Sequence, residues 1–166
     1  TGKYTSALLV GIDTRSAKSD LMNTDSMIIA TYNYETGNIT MISVPRDTYV
    51  KVPNENWYTK INGIYGHGES IKKGSGMNYL KGVLQNITGI EIQYHALVDL
   101  QGFKKMIDAV GGVTVNVENT FTDYQYPTEA KNKPVYETVT FKKGPQKMNG
   151  ETALKYARSR HSSDNG

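Results

Sequence analysis

Ser6-Ala7-Leu8-Leu9-Val10-Gly11-Ile12 decides the fold class. The run is short, apolar and too brief for a helix, so it reads as a buried strand. Met27–Tyr32 is a second such run. Ile39–Val44 is a third, separated from it by the turn signal Glu35-Thr36-Gly37-Asn38, so strands two and three are expected to form a hairpin. Strands are also expected at Ile90–Val98, Val113–Val117 and Thr138–Lys142. Helices lie between them. Met77, Leu80, Val83, Leu84 and Ile87 recur at helical spacing and stop at Gly89. Leu100, Phe103, Ile107 and Val110 repeat the pattern behind Asp99 as cap, and Gly111-Gly112 closes it. Asn149 caps a last helix from Gly150 to about Arg158. Residues 45–76 read as loop-rich, with one short helix near Ile61–Tyr65, and Glu118–Pro134 as a polar, irregular excursion. Wholly apolar strands call for cover on both sheet faces. The expected architecture is therefore a three-layer α/β/α sandwich around a mixed central sheet, built as one domain over residues 1–166.

Composition excludes several classes. There are no cysteines, so disulfide frameworks and thiolate-bound metals are out. The absence fits an exported protein of a bacterium that does not rely on disulfides. A net charge of +3 suits an anionic ligand at a local site, but it is not the basic stripe of a nucleic-acid binder. No apolar run approaches the roughly 20 residues of a membrane span. Gly63–Gly76 has no Walker pattern and reads as a loop beside the site.

Four arginines stand against fifteen lysines. Arg15 follows the first strand, Arg46 the third, and Arg158 and Arg160 alternate after the last helix. Arginine supplies a planar fork of donors that grips phosphate or carboxylate in two places, which lysine cannot do. Asp13 and Asp25 sit in strand-end segments like those of Arg15 and Arg46, where ligands of α/β sheets bind. Arginines with paired carboxylates fit a pyrophosphate held with a divalent metal. From spacing alone, structural ion pairs and turn-capping aspartates fit equally well. Arg158 and Arg160 also suit a helix C-terminus, and they share a face only if the chain has become extended. His67 and His95 read as ordinary, and His161 as a weaker candidate beside the arginines.

Six motifs follow in order: Gly11-Ile12-Asp13-Thr14-Arg15, Asn23-Thr24-Asp25-Ser26-Met27-Ile28, Ser43-Val44-Pro45-Arg46-Asp47, Lys60-Ile61-Asn62, Val110-Gly111-Gly112-Val113, and Gly150-Glu151-Thr152-Ala153-Leu154 running into Ala157-Arg158-Ser159-Arg160-His161. The ordered set closely resembles the LytR–CpsA–Psr family of bacterial cell-wall enzymes over nearly the whole chain. The resemblance implies an extracytoplasmic domain on an N-terminal membrane helix, at the outer face of a Gram-positive cell membrane. It implies transfer of a polyprenyl-pyrophosphate-linked glycopolymer onto peptidoglycan through a phosphodiester, with magnesium or manganese at the pyrophosphate. Asp13 and Asp25 match the family's metal-holding acidic pair, and Asp13 is the better candidate for general base. Arg46, Arg158 and Arg160 match the pyrophosphate clamp, while Arg15 and Lys60 match neighbouring basic positions. Family members continue with an Asp-x-x-Arg-x-x-Arg-Gln stretch, which is expected beyond Gly166. A lipid pyrophosphatase and a non-enzymatic polyprenyl-phosphate binder are the rival readings.

Overall fold

The computed structural model describes residues 2–12, 22–128 and 135–160. The chain divides into two units, Thr1–Asp99 and Leu100–Gly166.

The first unit begins with β1 (Tyr4–Ile12), β2 (Thr24–Asn33) and β3 (Ile39–Ser43). Next come the short strands β4 (Tyr49–Lys51) and β5 (Tyr58–Lys60), then a 3-10 turn at Ile61–Gly63. Helices α1 (Ile64–Ile71) and α2 (Gly76–Thr88) lead into β6 (Tyr94–Val98). The main sheet runs β3-β2-β1-β6. β1 and β2 pair antiparallel, as do β2 and β3, whereas β6 lies parallel to β1, so the sheet is mixed as expected. The expected hairpin between β2 and β3 is closed by Asn33, whose Oδ1 accepts from the Glu35 and Thr36 amides at 2.8 and 3.2 Å.

Burial alternates along β1: Ser6, Leu8 and Val10 are buried while Leu9 between them is 39% exposed. Leu8 faces Ile29 and Val10 faces Met27 across the ladder. These four side chains share one core with Met77, Leu80, Val83 and Leu84 of α2 and Ile64 of α1. The helical spacing read from the sequence is thus the buried face of α2. Each fully buried Leu or Ile contributes roughly 1.5–3 kcal/mol. Gly89, at φ 70°, ends α2 in the left-handed conformation that favours glycine.

The stretch expected to be a glycine-rich loop is mostly helix. Gly68 and Gly76 serve close contact: a Cβ on Gly68 would meet the Gly76 Cα at 2.8 Å and one on Gly76 the Tyr65 carbonyl at 2.5 Å, whereas Gly74, at φ 87°, makes the turn between the helices. The absence of side chains at Gly68 and Gly76 lets α1 and α2 approach. β4 and β5 also fall where only loop was expected, because three-residue strands carry too little periodicity to be read.

The second unit contains α3 (Leu100–Ala109), β7 (Val113–Val117), β8 (Phe121–Pro127), β9 (Tyr136–Phe141), β10 (Gly144–Met148) and α4 (Gly150–Arg158). β7 pairs antiparallel with β10, and β8 with β9. Their core is Val117, Phe141, Met148 and Ala153, flanked by Phe103, Ile107, Phe121 and Tyr156. The capping role of Asn149 is confirmed: its Oδ1 accepts from the Thr152 amide at 2.9 Å. Two elements depart from expectation. β8 occupies part of the supposed excursion; its register slips between Asp123 and Tyr126, which breaks the alternation that would have shown a strand. β10 carries Pro145, which a strand tolerates at its edge.

Candidate functional site

Asp25 owes its position to an irregularity. Gly11 pairs with Ser26 and Ile12 with Thr24, so Asp25 is the extra residue of a β-bulge. Such a bulge bends its strand and re-aims a side chain. Thr24 beside it is wholly buried, and its hydroxyl donates to the Asn62 carbonyl at 3.4 Å.

Arg46 follows β3 in a tight turn. The Thr48 amide donates to the Pro45 carbonyl at 3.0 Å, and the Thr48 hydroxyl donates to the same oxygen at 2.7 Å. The Arg46 carbonyl accepts from the Asn62 amide at 3.2 Å, and the Thr48 carbonyl from the Ile61 amide at 2.8 Å. Asn62 therefore ties the start of β2 to the turn after β3. Both contacts are made by the Asn62 main chain, so they fix where the segment runs; Ile61 beside it is buried completely and Lys60 carries the charge.

The side chains form a chain of alternating charge. Arg46 Nη1 donates to Asp25 Oδ1 at 2.8 Å. Arg46 Nε lies 3.8 Å from Asp47 Oδ2. Lys60 Nζ donates to Asp47 Oδ1 at 2.6 Å. The hydrogen bond from Lys60 holds the Asp47 carboxyl below the usual carboxylate range, and the charges of Lys60 and Arg46 add to the effect. Two cations and two carboxylates balance. All four side chains keep two-fifths or more of their surface in water. Water screens exposed ion pairs of this kind, so an incoming oxygen anion can take the guanidinium fork and the ammonium from the carboxylates at small cost.

In the second unit the geometry is different. α4 ends at Arg158, and Ser159 is extended at φ −60°, ψ 127°. The chain has left the helix between the two arginines, which is the condition their shared face required. Arg158 Nη1 donates to the Tyr126 hydroxyl at 3.1 Å, and its guanidinium lies 5.5 Å from the centre of that ring. Tyr126 is 4% exposed, and burial pushes its phenol up against the opposing pull of Arg158. The Arg160 amide donates to Asp123 Oδ2 at 3.1 Å, while Asp123 Oδ1 accepts from the Gln125 amide at 2.9 Å. Asp123 is 1% exposed.

Of the residues read from the sequence, Asp25, Arg46 and Lys60 come together in the first unit. Arg158 and Arg160 lie in succession in the second. Asp13, Arg15 and His161 lie outside the described residues. Asp47 closes the Ser43–Asp47 motif, and only the fold shows that it bridges Arg46 and Lys60. Asp123 and Tyr126 gave no signal, because their importance comes from burial. His67 Nε2 is 2.7 Å from Glu55 Oε1 and packs edge-on against Trp57 and Tyr79. Among the described residues no three His, Cys, Asp or Glu side chains gather as a metal cage. Magnesium needs no such cage: one or two carboxylates with water and phosphate suffice, and Asp25 offers an accessible carboxylate.

Comparison with known proteins gives a consistent result. The model of the LytR_cpsA_psr family matches residues 1–166. A Bacillus licheniformis protein named polyisoprenyl-teichoic acid–peptidoglycan teichoic acid transferase TagU is 32% identical, over 97% of this chain and 45% of its own length. The Bacillus subtilis protein of the same description, TagV, is 33% identical, over 97% of this chain and 38% of its own length. The crystal structure of B. subtilis TagV superposes with a TM-score of 0.73 at 32% identity, covering 95% of this chain and 56% of that one. TagT with bound octaprenyl pyrophosphate lipid superposes with a TM-score of 0.68 at 25% identity, covering 95% and 57%. The chain thus spans under half the length of these curated relatives.

Proposed function

Because this chain belongs to the LytR–CpsA–Psr family, we propose that it transfers a polyprenyl-pyrophosphate-linked anionic glycopolymer onto peptidoglycan. An acceptor hydroxyl attacks the phosphorus that bears the sugar. The bond between that phosphorus and the bridging oxygen breaks. A phosphodiester joins glycan to peptidoglycan, polyprenyl phosphate leaves, and the hydroxyl proton passes to a carboxylate, Asp13 or Asp25.

The observation that carries this reading is the exposed Asp25–Arg46–Asp47–Lys60 array. A loosely paired arginine fork at a strand end suits a phosphate that must arrive and depart. Arg46 and Lys60 bind the pyrophosphate oxygens and neutralise charge as the leaving phosphate departs. Arg158 and Arg160 keep the role that the resemblance assigns them, as further donors to phosphate oxygens, and Arg15 that of a neighbouring cation. Asp25, with Asp13, would hold magnesium or manganese, whose chemistry when bound is to neutralise pyrophosphate oxygens. The names of the relatives support a teichoic acid donor and a peptidoglycan acceptor. The proposed place of action is the outer face of a Gram-positive cell membrane, with an N-terminal helix as anchor. No helix among the described residues is long and apolar enough to cross a membrane.

Mass-spectrometric product analysis tests the proposal, with a short lipid-pyrophosphate glycan, magnesium and uncrosslinked peptidoglycan. A glycan–phosphate–peptidoglycan adduct, lost with chelator, is the expected result. Lipid phosphate released without an adduct would replace transfer with hydrolysis. Lipid bound without turnover would leave only a binding protein.

A further inference from the structure

The β4–β5 hairpin has an outer face of which the proposed mechanism uses only Lys60. Tyr49 pairs with Lys60, Val50 with Thr59 and Lys51 with Tyr58. Directly opposed residues share a face, and neighbours along a strand alternate. Tyr49, Lys51, Tyr58 and Lys60 therefore lie on one side, and Val50, which is buried, lies on the other. The tyrosines are 71% and 53% exposed. Their rings stack with centres 5.8 Å apart and planes 16° from parallel.

Stacked tyrosines can simply brace a hairpin. This hairpin is anchored without them: Val50 and Val52 are in the core, the Val52 amide donates to the Trp57 carbonyl at 3.0 Å, and the Ile61 amide holds Thr48. What the pair adds is an ordered aromatic surface left in water. Sugar rings present an apolar C–H face with polar groups at the rim, which matches the apolar body and polar tip of tyrosine. Two lysines flank the rings, and none of the four residues is acidic. One of those lysines, Lys60, belongs to the charge array beside Arg46. Tyr58 lies two residues from it along β5, about 6.6 Å at the usual rise, which is close to the length of one sugar unit.

We propose that this face, Tyr49 and Tyr58 between Lys51 and Lys60, binds an anionic glycan whose sugars are linked through phosphodiesters. One sugar ring lies on the tyrosines and a phosphate of the chain meets Lys51. The inference rests on the proposed function for its claim that this glycan is the donor's own. A sugar joined to a phosphate at Arg46 and Lys60 would fall next on the tyrosines.

The test is a calorimetric titration of the chain with a lipid-free oligomer of N-acetylhexosamines linked through phosphodiesters, beside a neutral N-acetylhexosamine oligomer of equal length. Tyr49→Ala and Tyr58→Ala should each weaken the anionic oligomer about tenfold. Tyr58→Phe keeps the ring and should restore most of the affinity. Lys51→Ala should cost about threefold at low salt, with the difference shrinking as salt rises. Wild-type affinity in both alanine variants would overturn the site. So would equal binding of the neutral oligomer, which would remove the anionic assignment. If an alanine variant failed to fold by circular dichroism, Lys51→Ala would still decide: an affinity equal to wild type at low salt would overturn the site. The titration contains no lipid, metal or acceptor. Binding without transfer would leave this site standing and remove the proposed reaction; transfer with the oligomer insensitive to these residues would do the reverse.

Discussion

Arg46 and Arg158 are the same side chain used in two ways. Arg46 is held in water by Asp25 and Asp47, both of them exposed carboxylates. Arg158 is held by the hydroxyl and ring of Tyr126, a residue in the interior of its unit. Arg160 follows the second pattern through its backbone, which buried Asp123 fixes. In the first unit the cation is neutralised but loosely placed; in the second the Arg158 guanidinium and the Arg160 backbone are held by groups buried in the unit. Exposed ion pairs exchange partners easily because water screens what they lose. A buried hydrogen bond cannot be abandoned so cheaply, because the group left behind has no water to turn to. The first arrangement suits a ligand that is exchanged, the second a donor that stays aimed.

Substitutions can break or sharpen this contrast. The largest effect should follow Arg46→Ala. Removing one preorganised donor to a developing charge typically costs about 10²–10³ in turnover. Circular dichroism and the melting temperature should stay close to wild type, and a collapsed fold would show that Arg46 is structural after all. Asp123→Ala comes next, with the sign of the contrast reversed. It leaves the Arg160 and Gln125 amides without their acceptor and should cost about 1–3 kcal/mol of stability, read as a melting temperature lower by several degrees. If Asp25→Ala lowered the melting temperature as much, the distinction between the two regions would fail.

Tyr126→Phe is a finer probe. It removes the hydroxyl and keeps the ring, so stability should drop by about 0.5–1.5 kcal/mol. The guanidinium of Arg158 should become more mobile, visible in the NMR relaxation of its Nε–H. The smallest effect belongs to Asp47. Its carboxyl is lowered chiefly by the hydrogen bond from Lys60. A lowered acid contributes its share of stability above its unfolded value and loses it as pH falls through the lowered folded value. The Asp47–Lys60 contact should therefore be insensitive to pH near neutrality and open only in acid. A carboxyl-detected titration of Lys60→Ala should show the Asp47 midpoint rising toward the ordinary range; an unmoved midpoint would put the cause elsewhere.

Much of this molecule was legible in its sequence. Apolar runs located β1, β2, β3 and β7, and helical spacing located α2 and α3. Asn149 marked the start of α4 correctly because a side-chain cap is a local interaction. Asp25, Arg46 and Lys60 were named from motif positions alone. Elements whose signal is short or interrupted were not legible. β4 and β5 have three residues each, β8 is broken by its register slip, and β10 begins with Gly144-Pro145. The glycines of residues 63–76 were misread because a tight helix contact and a flexible loop ask for the same residue.

The sequence by itself determined the α/β class, the family, and which arginines and aspartates to follow, since these depend on periodicity along the chain and on ordered local motifs. Only the tertiary structure decided how those residues are held. The bulge that re-aims Asp25 exists only against β1, and the main chain of Asn62 matters through contacts with Thr24 and Arg46, residues distant in sequence. Asp123 and Tyr126 look like ordinary polar residues until burial removes their water. Partner and dielectric are properties of the folded surroundings, so no reading of neighbours along the chain could have supplied them.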